Sequence, residues 1–415
     1  MRQTILTFIA EINTDKRPLL EEILGKIRMD LQHNDYLPFS SLSLLHFAGF
    51  VISDNQRSPA LLIFENNFDG GVSEYIDELL SVAGNGLHQI YQCCTAYGVT
   101  TFQQQNLKHF LQTSIVRPNA FHIGNVGRAA KIIKDNQQLR EKLQFYLDDL
   151  FATVSPASLS PMELRQRMQL FVKKEVHPDL SRPLPPHQTF AEKLIPKLRL
   201  GLFAIIGIPI LLLSALIAVP VLRRKEETDR SEVQPPSVCD IELLISTENR
   251  ITQNHLASIT TIKPGKFRLY LLTVVLFAAN LLARTSTKGK LSGIPSIHFA
   301  HWSIINQGKQ LLFLSNYDGS WTSYLDDFID KAAPGLTGIW SNTQGFPYTK
   351  FLVFDGARDE LRFKAFARNH QVPSLVWYSA YRDLTVQNID KDSSIRENIS
   401  ATLSDSETNE WLKLF

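Results

Sequence analysis

The chain has 415 residues, with 43 Lys and Arg against 41 Asp and Glu, and 44% hydrophobic beside 20% charged residues. That balance excludes a largely disordered chain, and a formal charge of +2 removes the global electrostatic reason to expect a nucleic-acid partner. Three cysteines, two of them adjacent (Cys93 and Cys94), exclude a disulfide scaffold and a CxxC-type zinc site.

The first dozen residues lack the long apolar stretch and small-residue cleavage site of a signal peptide, so a cytosolic start is expected. Residues 5–12 read as a strand. Residues 17–29 read as a helix, with Leu19, Leu20, Ile23, Leu24 and Ile27 on one face. Strands at 44–52 and 60–64, joined by the polar turn 53–58, form a hairpin. Asp69-Gly70 opens a helix to about Val82, a further helix covers about 105–112, and 120–123 is a strand. Residues 151–199 hold Pro156, Pro161, Pro178, Pro183, Pro185, Pro186 and Pro196, and read as a proline-rich linker.

Residues 200–222 form an uninterrupted apolar run, GLFAIIGIPILLLSALIAVPVL after Leu200, long enough to cross a bilayer as a helix. Lys193, Lys197 and Arg199 flank one side and Arg223, Arg224 and Lys225 the other, so the positive-inside comparison ties. The mean hydropathy of -0.08 conceals this segment. A polar linker follows at 223–238. A second run, 269–283, bracketed by Arg268 and Arg284, is short for a span and reads as a buried or interfacial helix.

The chain repeats itself. His46-Phe47-Ala48 recurs as His298-Phe299-Ala300, and Asn67-Phe68-Asp69-Gly70 as Asn316-Tyr317-Asp318-Gly319. Tyr75 and Asp77 match Tyr324 and Asp326; Arg140-Glu141 matches Arg396-Glu397; Leu6, Ile9 and Ile12 match Leu256, Ile259 and Ile262. Matches kept in one order define two copies, 2–150 and 239–403, with a C-terminal tail at 404–415. The second copy adds strands at 310–314, 350–354 and 374–379. The expected fold is α+β: two tandem ferredoxin-like (βαββαβ) repeats forming a pseudo-dimeric α+β barrel, with a membrane-inserting segment between them.

The stretches HFAHW, LFLSNYDGSW and GFPYTKFLVFDGARDELRFKAF resemble an uncharacterised bacterial family related to the dimeric α+β barrel superfamily, which includes dye-decolorising peroxidases and chlorite dismutases. The resemblance implies a peroxidase-like oxidoreductase, with Asp69-Gly70 and Asp318-Gly319 matching the end of the peroxidase G-x-x-D-G motif. The motif's leading Gly is replaced by Asn66 and Ser315. Haem enters by fold analogy only. Its axial ligand would fall near His122 in the first copy, where the second has Tyr378.

Five residues are candidate catalytic groups: Asp318, His298 and Arg382, with Asp69 and His46 as first-copy counterparts. His46 and His298 are either acid–base groups facing a shared cavity or hydrogen-bonded structural histidines. Strand alternation turns His301 away from His298. Asp69 and Asp318 either transfer protons beside Arg128 and Arg382, or cap the helices that follow them. Trp302, Trp321, Trp340 and Trp377 place four of the 5 tryptophans in the second copy, the better candidate for a working site. There is no P-loop, G-x-G-x-x-G, G-x-S-x-G or HExxH motif, and no metal set is expected.

A single crossing by 200–222 would separate the copies. A re-entrant hairpin broken at Gly207 and Pro209 would keep them together, at the cytoplasmic face of the inner membrane. Two functions follow as expectations: a membrane-attached protein acting on a lipophilic or redox-active small molecule, or a non-catalytic membrane scaffold or lipid-binding module. Membrane lipid is the expected partner in both.

Overall fold

A computed structural model of the chain describes residues 2–55, 58–181, 184, 189–229, 232–248, 252–285 and 291–415. Pro183, Pro185 and Pro186 lie outside the described residues, as do the side chains of Lys193 and Arg284.

The first half runs β1 (Gln3–Glu11), α1 (Arg17–Met29), β2 (Leu45–Asn55), β3 (Ser58–Asp69), α2 (Val72–Tyr91), α3 (Gln104–Thr113), β4 (Ile115–Val116), β5 (Ala120–Ile123) and α4 (Ala130–Thr153). A helical middle follows: α5 (Pro161–Glu175), α6 (Pro178–Ser181), α7 (Phe190–Leu202), a π-helical turn Phe203–Gly207, α8 (Ile208–Thr228) and α9 (Val238–Thr247). The second half runs β6 (Gln253–Thr261), α10 (Lys266–Thr285), β7 (Ile297–Ile305), β8 (Gln310–Asp318), α11 (Trp321–Trp340), β9 (Thr349–Lys350), β10 (Phe354–Asp355), α12 (Glu360–Asn369), β11 (Gln371–Val372), β12 (Ser374–Ser379), α13 (Val386–Ile399) and α14 (Asp405–Leu412).

The fold is α+β, with two five-stranded antiparallel sheets. Their strand orders are β12-β2-β3-β1-β4 and β5-β7-β8-β6-β11. Each sheet takes an outer strand from the other half of the chain. Trp377 on β12 lies opposite Gly49 on β2, and His122 on β5 lies opposite Ala300 on β7. The exchanged strands end alike: Ala380 N–H donates to the His46 carbonyl and Gly124 N–H to the His298 carbonyl, both at 2.8 Å.

Amphipathic helices cover the outer faces. In α1, Leu20, Ile23, Leu24 and Ile27 are buried at helical spacing and join Phe8, Phe50 and Phe64 of the first sheet. On the second sheet, Leu272 and Leu276 of α10 pack with Trp302, Phe313 and Trp340. The inner faces meet through Val51, Ile63, Ala257, Ile305, Leu312 and Leu314. At one end α4 lies against α13, with Arg140 3.1 Å from Asp392 and Arg396 donating to Asn136.

Several expectations change. The proline-rich stretch holds three helices. Pro161 occupies the first turn of α5, where a missing N–H costs nothing, and Ser160 with Glu163 closes a capping box before it. Residues 404–415 are not a free tail: Trp411 of α14 is buried beside Met168 and Ile395. The expected strand 350–354 is instead the small β9–β10 hairpin, outside both sheets. Gly207 and Pro209 do not break the apolar helix. Helical structure continues from Phe190 to Thr228 through the π turn, with the Phe203 ring packed where a Gly207 Cβ would stand.

Candidate functional site

Two His–Asp pairs lie between the sheets. His46 sits beside a bulge in β2, between Leu45 and Phe47, and His298 beside the matching bulge in β7, between Ile297 and Phe299. A bulge adds a residue to one strand and re-aims its side chains. His298 therefore turns towards the first sheet, where its ring meets Phe47 at 5.1 Å. His301 also reaches the first sheet, at Thr7 Oγ1, 3.1 Å away. The expectation that these two histidines face opposite ways is overturned by the bulge.

His298 Nε2 is 2.7 Å from Asp318 Oδ1, and His46 Nε2 is 3.1 Å from Asp69 Oδ1. The second oxygen of each carboxylate caps a helix. Asp69 Oδ2 accepts from the Ala130 N–H of α4, and Asp318 Oδ2 from the Val386 N–H of α13, both at 2.8 Å. Capping is thus the observed role, but not of the adjacent helix: α2 begins at Val72 with no side-chain cap. Each aspartate ties the end of a central strand to a helix far along the chain.

Tyr381 lies between the pairs. Its hydroxyl is 2.8 Å from His46 Nδ1, and its ring is 6.0 Å from that of His298. Burial holds the phenol well above its ordinary pKa. The protonated phenol can donate to Nδ1, whereas the 3.1 Å approach of Nε2 to Asp69 Oδ1 is a close ion-pair distance without hydrogen-bond geometry.

Beside these pairs runs a second polar cluster. Glu65 of β3 is fully buried; its Oε2 is 2.8 Å from His255 Nε2 and its Oε1 is 3.6 Å from His301 Nδ1. Asn67 and Asn316 donate to Oε1 at 3.0 and 3.3 Å. Ser374 Oγ is 2.6 Å from His255 Nδ1, and Trp377 donates to Asn316 at 2.8 Å. Burial pushes the Glu65 carboxyl up, but the His255 hydrogen bond, the His255 and His301 charges and Asn67 outweigh it, leaving it below its ordinary value. Glu65 and His255 were missed in the sequence. Their signal was a charged or imidazole side chain at an inward position of a strand, in step with Ile63 and Ala257.

The remaining candidates fall elsewhere. Arg382 is exposed and outside the His298–Asp318 pair. Arg128 is buried and pairs with Glu397, while its carbonyl accepts from Gln3 at 2.9 Å. Trp302 and Trp340 belong to the outer core of the second sheet, and Trp321 lies under the Arg368 guanidinium at 3.6 Å. Among the described residues no group of three or more His, Cys, Asp or Glu converges on a metal position.

These residues do not fit haem. His122 shares the outer face of β5 with Ala120, and Tyr378 stacks on Phe39 outside the first sheet, so both point away from the Asp-Gly positions. Between the His–Asp pairs, Phe47 lies 5.3 Å from Tyr381, and Phe299 lies 5.4 Å from His46. That spacing leaves no room for a porphyrin.

The cluster sets two expected outcomes. Asp69→Ala or Asp318→Ala removes a helix cap and strands a buried imidazole, and is expected to cost about 2–3 kcal/mol. Asp→Asn at either position keeps an acceptor and is expected to cost less, as read by urea midpoints. The second concerns pH. Burial pushes His122 and His301 down to about 4, so the unfolded chain binds more protons between about pH 6.5 and 4. Stability is full above that window and is lost as pH falls through it, by up to about 3 kcal/mol per histidine. His122→Gln should flatten the decline in urea midpoint between pH 7 and 4.5; an unchanged slope would assign it to other groups.

Comparison with known proteins finds no match to this chain among family models, curated proteins or solved structures.

Proposed function

We propose that the chain is a non-catalytic, membrane-attached module: two ferredoxin-like repeats paired as a pseudo-dimeric α+β barrel and held on one face of a bilayer by the apolar helix Phe190–Thr228. The carrying observation is that helix. It runs 39 residues, its apolar window has a mean hydropathy of 2.8, and none of that window is buried. Leu212, Leu213, Leu216 and Ile217 are each 66–75% exposed. A contiguous apolar surface of this kind marks a membrane or partner contact.

The exchanged strands support attachment over a crossing that separates the halves. With β5 in the second sheet and β12 in the first, both halves must lie on one side of any bilayer. Both flanks of the apolar run 200–222 return to that body. Phe203 meets Phe277 of α10 at 5.6 Å, and Glu226 accepts from the backbone N–H groups of Phe351 and Leu352 at 3.1 and 2.8 Å. Arg223, Arg224 and Lys225 suit the anionic cytoplasmic face. The repeat reading draws on the matching strand orders, the paired bulges and the twin His–Asp–helix caps.

The non-catalytic part rests on the commitment of Asp69 and Asp318 to helix caps in a sealed, ring-packed seam. The competing expectation, a peroxidase-like enzyme for a lipophilic or redox-active small molecule, needs those groups free. Flotation of the purified chain with phospholipid vesicles tests the membrane reading. Co-migration that survives high salt is expected; a chain that stays at the bottom of the gradient sinks it.

A further inference from the structure

An open cleft of about 740 Å³ lies at the start of α10, walled by residues 261–266, Leu269, Asn306, residues 308–310 and Gln344. Lys263, Lys266 and Lys309 all line it, and no carboxylate does. Among the described residues none of the three amines has a side-chain hydrogen-bond partner. The first turn of a 20-residue helix adds unpaired N–H groups and the positive end of its dipole.

The cleft adjoins the point where the apolar helix returns to the body. Arg268, in the first turn of α10, donates to Asp229 at 3.2 Å, just beyond the end of α8. The Lys263 amine is pushed down to about 8, by burial and then by Arg268, while Asp229 and Glu226 act in the other direction. Lys263 is therefore within electrostatic reach of the segment after Arg223, Arg224 and Lys225. If the apolar helix enters the bilayer, this cleft lies beside the point where the chain leaves it.

The first half supplies an internal comparison. Ile12 and Ile262 make the same backbone bond, to the Ala60 and Lys309 carbonyls, and Asn13 and Lys263 make the next, to the Cys93 and Asn342 carbonyls, each at 2.8 Å. The counterparts of Lys263 and Lys309 are thus Asn13 and Ala60. The Lys16 amine is occupied by the Gln92 carbonyl at 2.9 Å. The three-lysine arrangement occurs only in the half on which the apolar helix docks.

We propose that this cleft binds a phosphate ester, presented by the headgroup of an anionic phospholipid. Two exposed amines, Lys266 and Lys309, and the half-buried Lys263 amine around an open cleft that no carboxylate lines suit a tetrahedral anion. The membrane source rests on the function proposed above.

The test compares the full-length wild type with a Lys263→Gln/Lys266→Gln/Lys309→Gln variant. A control variant, Lys131→Gln/Lys173→Gln/Lys174→Gln, loses the same charge elsewhere. Each is titrated with neutral phosphatidylcholine vesicles, with vesicles containing phosphatidylglycerol, and with soluble glycerol phosphate. The cleft variant should bind neutral vesicles like the wild type but lose roughly tenfold or more of the added affinity for anionic ones, while the control loses far less. Equal losses in both variants, or none in the cleft variant, overturn the proposal. If the wild type binds no vesicles, the membrane reading fails. The cleft then stands on saturable glycerol phosphate binding that the cleft variant lacks, with a soluble source, and falls if that binding is absent.

Discussion

Replacing Glu65 with alanine is expected to destabilise the chain by about 3–5 kcal/mol, the range for stranding the partners of a buried charge. Glu65 is the one carboxylate in the middle of the polar seam, fully buried on central strand β3. Its removal takes the acceptor from His255, Asn67 and Asn316, and a polar neighbour 3.6 Å away from His301. Three of those four partners come from the second half of the chain, so the loss falls on the contact between halves. Glu65→Gln keeps an acceptor of the same shape and should cost less, about 1–2 kcal/mol. Because the native carboxyl is held below its ordinary value, its contribution is present above about pH 4.3 and is lost as pH falls through the folded-state value. Urea midpoints at pH 7 measure this directly. Identical midpoints for wild type and Glu65→Ala would mean that the seam does not hold the sheets together.

Leu212→Lys/Leu216→Lys should abolish vesicle binding without touching the fold. Both side chains are exposed, at 66% and 74%, in a window with no buried residue. Each leucine on the bilayer-facing surface loses about 1.5–3 kcal/mol of apolar burial when it is replaced by lysine. Two therefore reduce partition by well over a hundredfold, softened where the ammonium groups reach the interface. The urea midpoint should stay within about 0.5 kcal/mol of wild type, as for surface substitutions. Unchanged flotation would remove the apolar helix as the anchor. A lowered midpoint would mean that it packs on the body instead.

Local patterns were legible and long-range pairings were not. The periodicity of Leu19, Leu20, Ile23, Leu24 and Ile27 placed α1 to the residue, although Leu19 is exposed, and β5 and β12 were bounded correctly because short apolar alternation sets their length. β3 was read too short, ending at Phe64, because polar Glu65, Asn66 and Asn67 interrupt the apolar pattern. On a central strand bonded on both sides, they face Tyr75 and the polar seam instead. The exchange of β5 and β12 had no local signal, since a strand's sequence does not name its partner. The recurring His-Phe-Ala and Asp-Gly stretches did mark His46, Asp69, His298 and Asp318 as a set. Those stretches hid the task of the set, because the capped helices α4 and α13 start 61 and 68 residues downstream of their aspartates. Pro161 and Pro178, read as linker punctuation, open helices, a distinction set by the helix-forming residues C-terminal to each of them.

The sidedness of the two halves in sealed vesicles tests the shared body most directly. Met29 on α1 and Leu361 on α12 are 90% and 82% exposed, one in each half. Each is replaced by cysteine in a Cys239→Ser background, since Cys93 and Cys94 are buried and Cys239 is the exposed thiol. The chain is then reconstituted and treated with a membrane-impermeant maleimide before and after detergent. The exchanged strands predict that the two positions label to the same extent before detergent. Labelling of one position with protection of the other until detergent is added would place the halves on opposite sides of the bilayer and contradict a shared, strand-exchanged body.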